Sequence, residues 1–213
     1  MPKILSESKR LDSIFTIFKN KNPSPKCELF YNTPYQLLVS VVLSAQATDK
    51  SVNLAMEPVY RNGLTPADML KMGEANFLKI IRRIGLAPTK AKNVLGLTKL
   101  ILDKHHGEIP STRADLEALP GVGRKTANVV LAEIFKEPTL AVDTHVFRVS
   151  QRLGLQNESS AEKAELVLIK KIDKKWLPEA HHWFILHGRY VCVARNPKCA
   201  ECLISKYCAS KLL

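Results

Sequence analysis

Helix start and stop signals recur at short intervals along this chain, and strand-like alternation of apolar and polar residues is nearly absent. Asn32-Thr33-Pro34 offers a cap and a first-turn proline ahead of an apolar run ending near Gln46. Thr65-Pro66 repeats the device, Gly73 reads as a stop, and the next segment runs to Gly85. A long basic helix is expected from Pro88 to His106, ended by Gly107, and Ser111-Thr112 caps a short one that Pro120 breaks. Further helices are expected over about 123–136, 144–154, 160–173 and 179–188. Short connections between so many helices specify an all-α chain. The first 21 residues read as an amphipathic helix; they hold Glu7 and Asp12 and lack a long apolar run and a small-residue cleavage site. With no stretch approaching the ~18 apolar residues of a membrane span, the expectation is a soluble, cytoplasmic protein.

Charge narrows the partners. Lysine and arginine number 32 against 20 acidic residues, a formal net charge of +12, which favours a polyanion. The excess is concentrated: Lys79, Arg82, Arg83, Lys90, Lys92, Lys99 and Lys104 face only Asp103. Such a run is either a solvated helix face or a nucleic-acid footprint, and the second makes affinity fall steeply with salt.

Four of the five cysteines close the chain: Cys192, Cys199, Cys202 and Cys208, spaced C-x6-C-x2-C-x5-C. Four thiols so close together in a chain of cytoplasmic character favour metal over disulfides. Zinc competes, but zinc ribbons present two tight C-x2-C knuckles and only Cys199–Cys202 forms one. The wider loops suit the larger body of a [4Fe–4S] cluster held by four thiolates. Arg195 and Lys198 lie between the first two cysteines, where a metal-tied loop would present them outward. Cys27 stands apart and reads as a small buried hydrophobe.

Leu119-Pro120-Gly121-Val122-Gly123-Arg124-Lys125-Thr126-Ala127 is the second informative segment. Arg124 separates Gly123 from Lys125, so it is no Walker loop, and a dinucleotide fingerprint fails for want of a third glycine and a preceding strand. What remains is helix, tight Gly-x-Gly turn, helix. The amides that open the second helix carry positive potential and can grip a phosphate. Ala127, Val130, Leu131, Ile134 and Phe135 form a buried stripe, and Lys125 falls roughly opposite its centre. It is therefore expected to project from the first turn beside those amides. A lysine whose amine is neutral is a nucleophile able to form a Schiff base.

Asp143 heads a helix in Val142-Asp143-Thr144-His145, so its plain role is an N-cap. A cap uses one carboxylate oxygen and leaves the other to accept a proton or to stabilise a cation developing on a sugar. His145 reads as polar support, whereas His181, His182 and His187 sit in an apolar helix and read as core or helix-surface residues.

Together these segments resemble the endonuclease III family of DNA glycosylases, whose signature is a helix-hairpin-helix, then Val-Asp-Thr-His, then a four-cysteine loop. Leu119–Ala127, Val142–His145 and Cys192–Cys208 carry the likeness in that order, and Leu43–Asp49 resembles an early motif of the same family. The resemblance implies a two-domain helix-hairpin-helix glycosylase fold with a C-terminal [4Fe–4S] cluster loop, and DNA bound across the cleft. One domain is expected at 27–137 as a six-helix barrel; the other joins 1–26 to 138–213 and carries the cluster. By the same likeness Lys125 is the nucleophile and Asp143 the catalytic carboxylate. Gln46 fills the gap left by the extruded nucleotide, Leu86 is the wedge opposite, and Gly121, Val122, Gly123, Arg124, Thr126, His145, Arg195 and Lys198 contact DNA.

The implied activity is that of a bifunctional glycosylase and abasic-site lyase of base excision repair. It acts as a monomer on oxidised pyrimidines in duplex DNA, at the nucleoid of a bacterial cell. Two rivals are an adenine-mismatch glycosylase and a DNA-binding module that uses the hairpin and cluster only as scaffold. Lys125 and an end at Leu213 count against the first, because that enzyme lacks the lysine and usually carries a further C-terminal domain. Covalent capture on abasic DNA separates the second.

Overall fold

The computed structural model describes residues 6–210, and among them ten α-helices and two short 3-10 turns account for all the regular structure. The chain divides into two units, one of residues 27–135 and one that joins the residues up to Lys26 to those from Lys136 onward.

In the first unit, α2 (Pro34–Ser44) is mostly apolar and everything from Tyr35 to Leu43 is buried, as befits a central helix. Around it lie α3 (Asp49–Arg61), α4 (Pro66–Ile81), α5 (Ala87–His105), α6 (Arg113–Glu117) and α7 (Arg124–Phe135). Thr33, Thr48, Thr65 and Thr112 each cap a helix by accepting from a backbone N–H, and Thr65 completes a capping box with Asp68. Gly73 breaks α4 with φ 74°, so the stop expected there is a kink between two helical stretches. Buried hydroxyls pair with one another: that of Tyr35 meets Thr98 Oγ1 at 2.7 Å, and that of Tyr60 meets Ser40 at 3.0 Å.

Lys90 departs from the expected solvated basic face. Only 4% exposed, it has an Nζ with no hydrogen-bond partner among the described residues. Burial holds this lysine below its ordinary range. Lys79, Arg82, Arg83, Lys92, Lys99 and Lys104 remain exposed.

The second unit contains α1 (Glu7–Lys21), α8 (Thr144–Arg152), α9 (Ala161–Lys171) and α10 (Leu177–Tyr190), followed by the 3-10 turns Cys199–Glu201 and Ser205–Tyr207. Ser6 caps α1, and the first five residues of the expected amphipathic segment lie outside the described residues. Phe15 sits among Phe18, Trp176, Trp183 and Phe184 at ring-centre distances of 5.5–6.2 Å, a core of aromatic rings. Arg10 of α1 donates to the carbonyls of Leu153 (2.7 Å) and Tyr207 (2.9 Å), tying the first helix to the last turn. No helix among the described residues is long and apolar enough to cross a membrane.

Candidate functional site

The hairpin between α6 and α7 is built on one glycine that must be glycine. Gly121 adopts φ 78°, and a Cβ there would lie 2.9 Å from the Asn93 amide nitrogen. The Val122 N–H donates to the Leu119 carbonyl at 3.1 Å, and the Val122 side chain is buried beneath the turn. Gly123, exposed like Gly121, differs in that a Cβ there would meet nothing within 4 Å. The free space lies on the solvent side, where another molecule's backbone can approach. Arg124 and Thr126 are half-buried, while Lys125 is exposed on the first turn of α7 and makes no ion pair with any described residue. Behind it Ala127–Ala132 are all buried, a face broader than the expected stripe, with Ile134 and Phe135 only half-buried.

In the same unit, Gln46 and Leu86 share a conformation that side chains rarely adopt. Their φ values are 53° and 61°, in the left-handed region that costs roughly 1–2 kcal/mol per non-glycine residue. The two loops lie together: a Cβ on Gly85 would stand 3.6 Å from the Gln46 carbonyl oxygen. Both side chains are exposed, Leu86 to 57%, so an apolar tip stands in solvent on strained backbone.

In the other unit, Asp143 caps α8. Its Oδ1 accepts from His145 N at 2.9 Å and Val146 N at 2.7 Å, so the cap uses a single oxygen. His145 Nδ1 lies 3.2 Å from Arg148 Nη2, which can only donate, so that ring nitrogen is the acceptor. Burial lowers the affinity of this imidazole for a proton, against the opposing pull of Asp143; Arg148 and Arg189 lower it further. Arg148 also donates to the Gly188 carbonyl at 2.8 Å and the Cys192 carbonyl at 3.1 Å, joining α8 to α10 and to the first residue of the cysteine loop.

All four C-terminal cysteines line one cavity of about 350 Å³, together with Arg152, His187, Lys198, Ile204 and Lys206. None of the four is in a disulfide. Burial pushes the Cys202 thiol up, and Cys192, Cys208 and Cys199 add to the effect, so the four sulfurs lie within electrostatic reach of one another. Among the described residues no three His, Cys, Asp or Glu converge on a point that would hold a single ion. Thiols spread around a cavity suit a multi-iron body better than one zinc ion. Two groups whose place here sequence reasoning missed stand beside them. Arg152 Nη1 lies 3.4 Å from Cys192 Sγ and 2.8 Å from the Val193 carbonyl, with Nη2 on Ala194. His187 Nε2 lies 3.7 Å from Cys202 Sγ, and burial, then Lys21, bring its imidazole down to about 4. A ring N–H at that position can donate to a thiolate. Arg195 and Lys198 are exposed on the loop, which closes through the Lys198 N–H to the Val191 carbonyl at 3.0 Å.

Residues 39–174 match the family model described as HhH-GPD superfamily base excision DNA repair protein, and residues 192–208 match the iron-sulfur binding domain of endonuclease III. Endonuclease III of Rickettsia conorii is 50% identical over 198 residues, 93% of this chain and 94% of that protein. Endonuclease III of Escherichia coli K12 is 46% identical over 207 residues, covering 97% of this chain and 98% of that one. The chain belongs to the endonuclease III family. Two solved structures of this family, a non-covalent endonuclease III–DNA complex and a trapped covalent endonuclease III–DNA intermediate, each superpose with a TM-score of 0.88 at 39% identity. Both comparisons cover 98% of this chain, and 97% and 98% of the other. A thermostable thymine-DNA glycosylase, 22% identical with a TM-score of 0.82, shares the fold. The cofactor of an endonuclease III is a [4Fe–4S] cluster, and the four-thiol cavity fits it.

Proposed function

We propose that this protein is a bifunctional DNA glycosylase and abasic-site lyase that excises oxidised pyrimidines from duplex DNA as a monomer, with Lys125 as nucleophile and Asp143 as its carboxylate. The observation that carries the reading is Lys125 itself: exposed, outside any ion pair among the described residues, and on the first turn of the helix that the Gly121–Gly123 hairpin opens. A relative of the same fold has been captured as a covalent intermediate with DNA.

A damaged base inside the stack is out of reach, so the nucleotide must leave it at a cost of about a few kcal/mol. Gln46 and Leu86, held on strained loops that touch, enter the space left behind and press on the opposite strand. The hairpin amides hold a phosphate past the open side of Gly123, with Arg124, Thr126 and the buried Val122 shaping the turn. His145, Arg195 and Lys198 add contacts to the backbone.

The lone pair of the Lys125 amine attacks C1′ as the bond to the base breaks, and the departing base takes the electron pair and a proton from solvent. Asp143, with Oδ2 outside its capping bonds, accepts the lysine proton or stabilises the positive charge on the sugar. Opening of the sugar gives an imine between Nζ and C1′. Loss of a C2′ proton expels the 3′ phosphate by β-elimination, and water then releases the lysine. General acid–base help of this kind contributes about 10²–10⁴-fold.

Cys192, Cys199, Cys202 and Cys208 would hold the [4Fe–4S] cluster. It supplies a redox-capable inorganic body that ties the loop bearing Arg195 and Lys198. None of the steps at the sugar passes through it.

Borohydride reduction of a mixture with abasic duplex tests the reading. The intact protein is expected to form a covalent adduct that Lys125→Ala abolishes. No adduct from the intact protein, or an undiminished one from the variant, overturns it.

A further inference from the structure

The segment that delivers Asp143 to its helix is buried yet irregular. Thr139, Leu140, Ala141 and Val142 are all buried, and none lies in a helix or a strand. Their backbone groups have no ladder to join, so each must find a partner elsewhere. For the Ala141 carbonyl that partner is a side chain of α10: His181 Nδ1 stands 2.7 Å away, on a ring that is itself 5% exposed. A carbonyl only accepts, so the proton of this bond is on Nδ1.

Ala141 is two residues before Asp143. Downstream, the carboxylate is fixed to the amides of His145 and Val146. Upstream, the only peptide between the His181 anchor and the aspartate is that of Val142. The same helix also holds the far side of this turn. Gly188 of α10 approaches so closely that a Cβ would stand 3.0 Å from His145 Cβ, and its carbonyl receives Arg148. The backbone around Asp143 is thus set against one helix at both flanks.

We infer that His181 is a positioning residue for the reaction: its Nδ1–H fixes the chain entering Asp143 and thereby aims the carboxylate oxygen that the cap leaves over. The inference rests on the reading of Asp143 as the reacting carboxylate. His181 acts through that residue and touches neither base nor sugar. Loss of the bond leaves the cap intact but frees the peptide before it, and misplacement of about 1 Å at a reacting group costs on the order of 10²-fold in rate.

The test compares His181→Asn with His181→Gln in the full chain with its cluster. The asparagine amide nitrogen takes the place of Nδ1 and can still reach the Ala141 carbonyl; the glutamine amide takes the place of Nε2 and cannot. Single-turnover excision of an oxidised pyrimidine is expected to fall on the order of 10²-fold in His181→Gln and to be largely restored in His181→Asn, with duplex affinity unchanged in both. Equal rates in the two variants, or a loss of affinity in place of rate, overturn the inference. Asp143→Asn provides the control. If His181 acts through the carboxylate, His181→Gln adds no further loss in the Asp143→Asn background. Full activity of Asp143→Asn itself sinks the reading of Asp143. A crippled Asp143→Asn whose loss His181→Gln multiplies sinks the role of His181 alone.

Discussion

The guanidinium of Arg152 points Nη1 at the sulfur of Cys192 from 3.4 Å, while both of its Nη atoms also grip the two carbonyls that follow that cysteine. A thiolate ligand and the backbone that carries it are thus held by one side chain. Partners of this kind typically change metal affinity by about 10–100-fold. Arg152→Gln is expected to fold and to lose its cluster correspondingly faster to a chelator, followed by the decay of visible absorption. A rate equal to that of the parent protein would show the contact to be idle.

The two hairpin glycines are expected to fail differently. Gly121→Ala forces φ 78° on a residue with a Cβ and drives it into Asn93, so the melting temperature should fall by several degrees. Gly123→Ala meets no atom within 4 Å and should leave the melting temperature nearly unchanged. Its effect belongs to DNA: the added methyl occupies the side open to solvent, and affinity for an abasic duplex should drop. Fluorescence anisotropy with thermal melts on both variants checks the separation.

Lys90 stores an unfavourable term in the first unit, because its buried Nζ lacks a hydrogen-bond partner among the described residues. Lys90→Met keeps the length and removes the unsatisfied group, worth about 1–3 kcal/mol. The variant should melt higher. Burial places this lysine below its ordinary value of 10.5. The unfolded chain therefore binds the proton more tightly, and the parent protein gains stability as pH rises toward that value. Denaturant titrations at neutral and alkaline pH should show this slope in the parent and a smaller one in Lys90→Met.

His145 should give acid sensitivity. Burial lowers its folded-state value beneath the ordinary 6.5, so as pH falls the unfolded chain takes up the proton first. Stability present at neutral pH is then lost below about 6.5. His145→Asn should flatten this slope between pH 7.5 and ~5.5 in urea titrations, and an unaltered slope would assign the loss to other groups.

The helices were legible because their boundaries are chemical. Thr33, Thr65, Thr112 and Asp143 each act as the cap that their sequence position suggests. The cysteine loop was legible because four thiols in one short segment have few uses. What escaped was everything decided by which face of a helix packs inward. Lys90 belongs to a run of charges that is otherwise exposed, and nothing local marks it as the one turned inside. Arg152 was concealed by distance, since its partners lie about forty residues on; its one signal is the i, i+4 spacing from Arg148 on a helix with an apolar stripe. His181 could be placed in the core, but its bond to Ala141 depends on a buried loop without a ladder.

The split of one unit across both ends of the chain has a consequence for synthesis. Residues 27–135 are contiguous and can close their core as soon as they leave the ribosome. Helix α1 emerges earlier still, but Arg10 must wait for Leu153 and Tyr207, and Phe15 for Trp176 and Phe184. Helix α1 is therefore housed only after the residues beyond Lys136 have been made, late in the order in which the cores close.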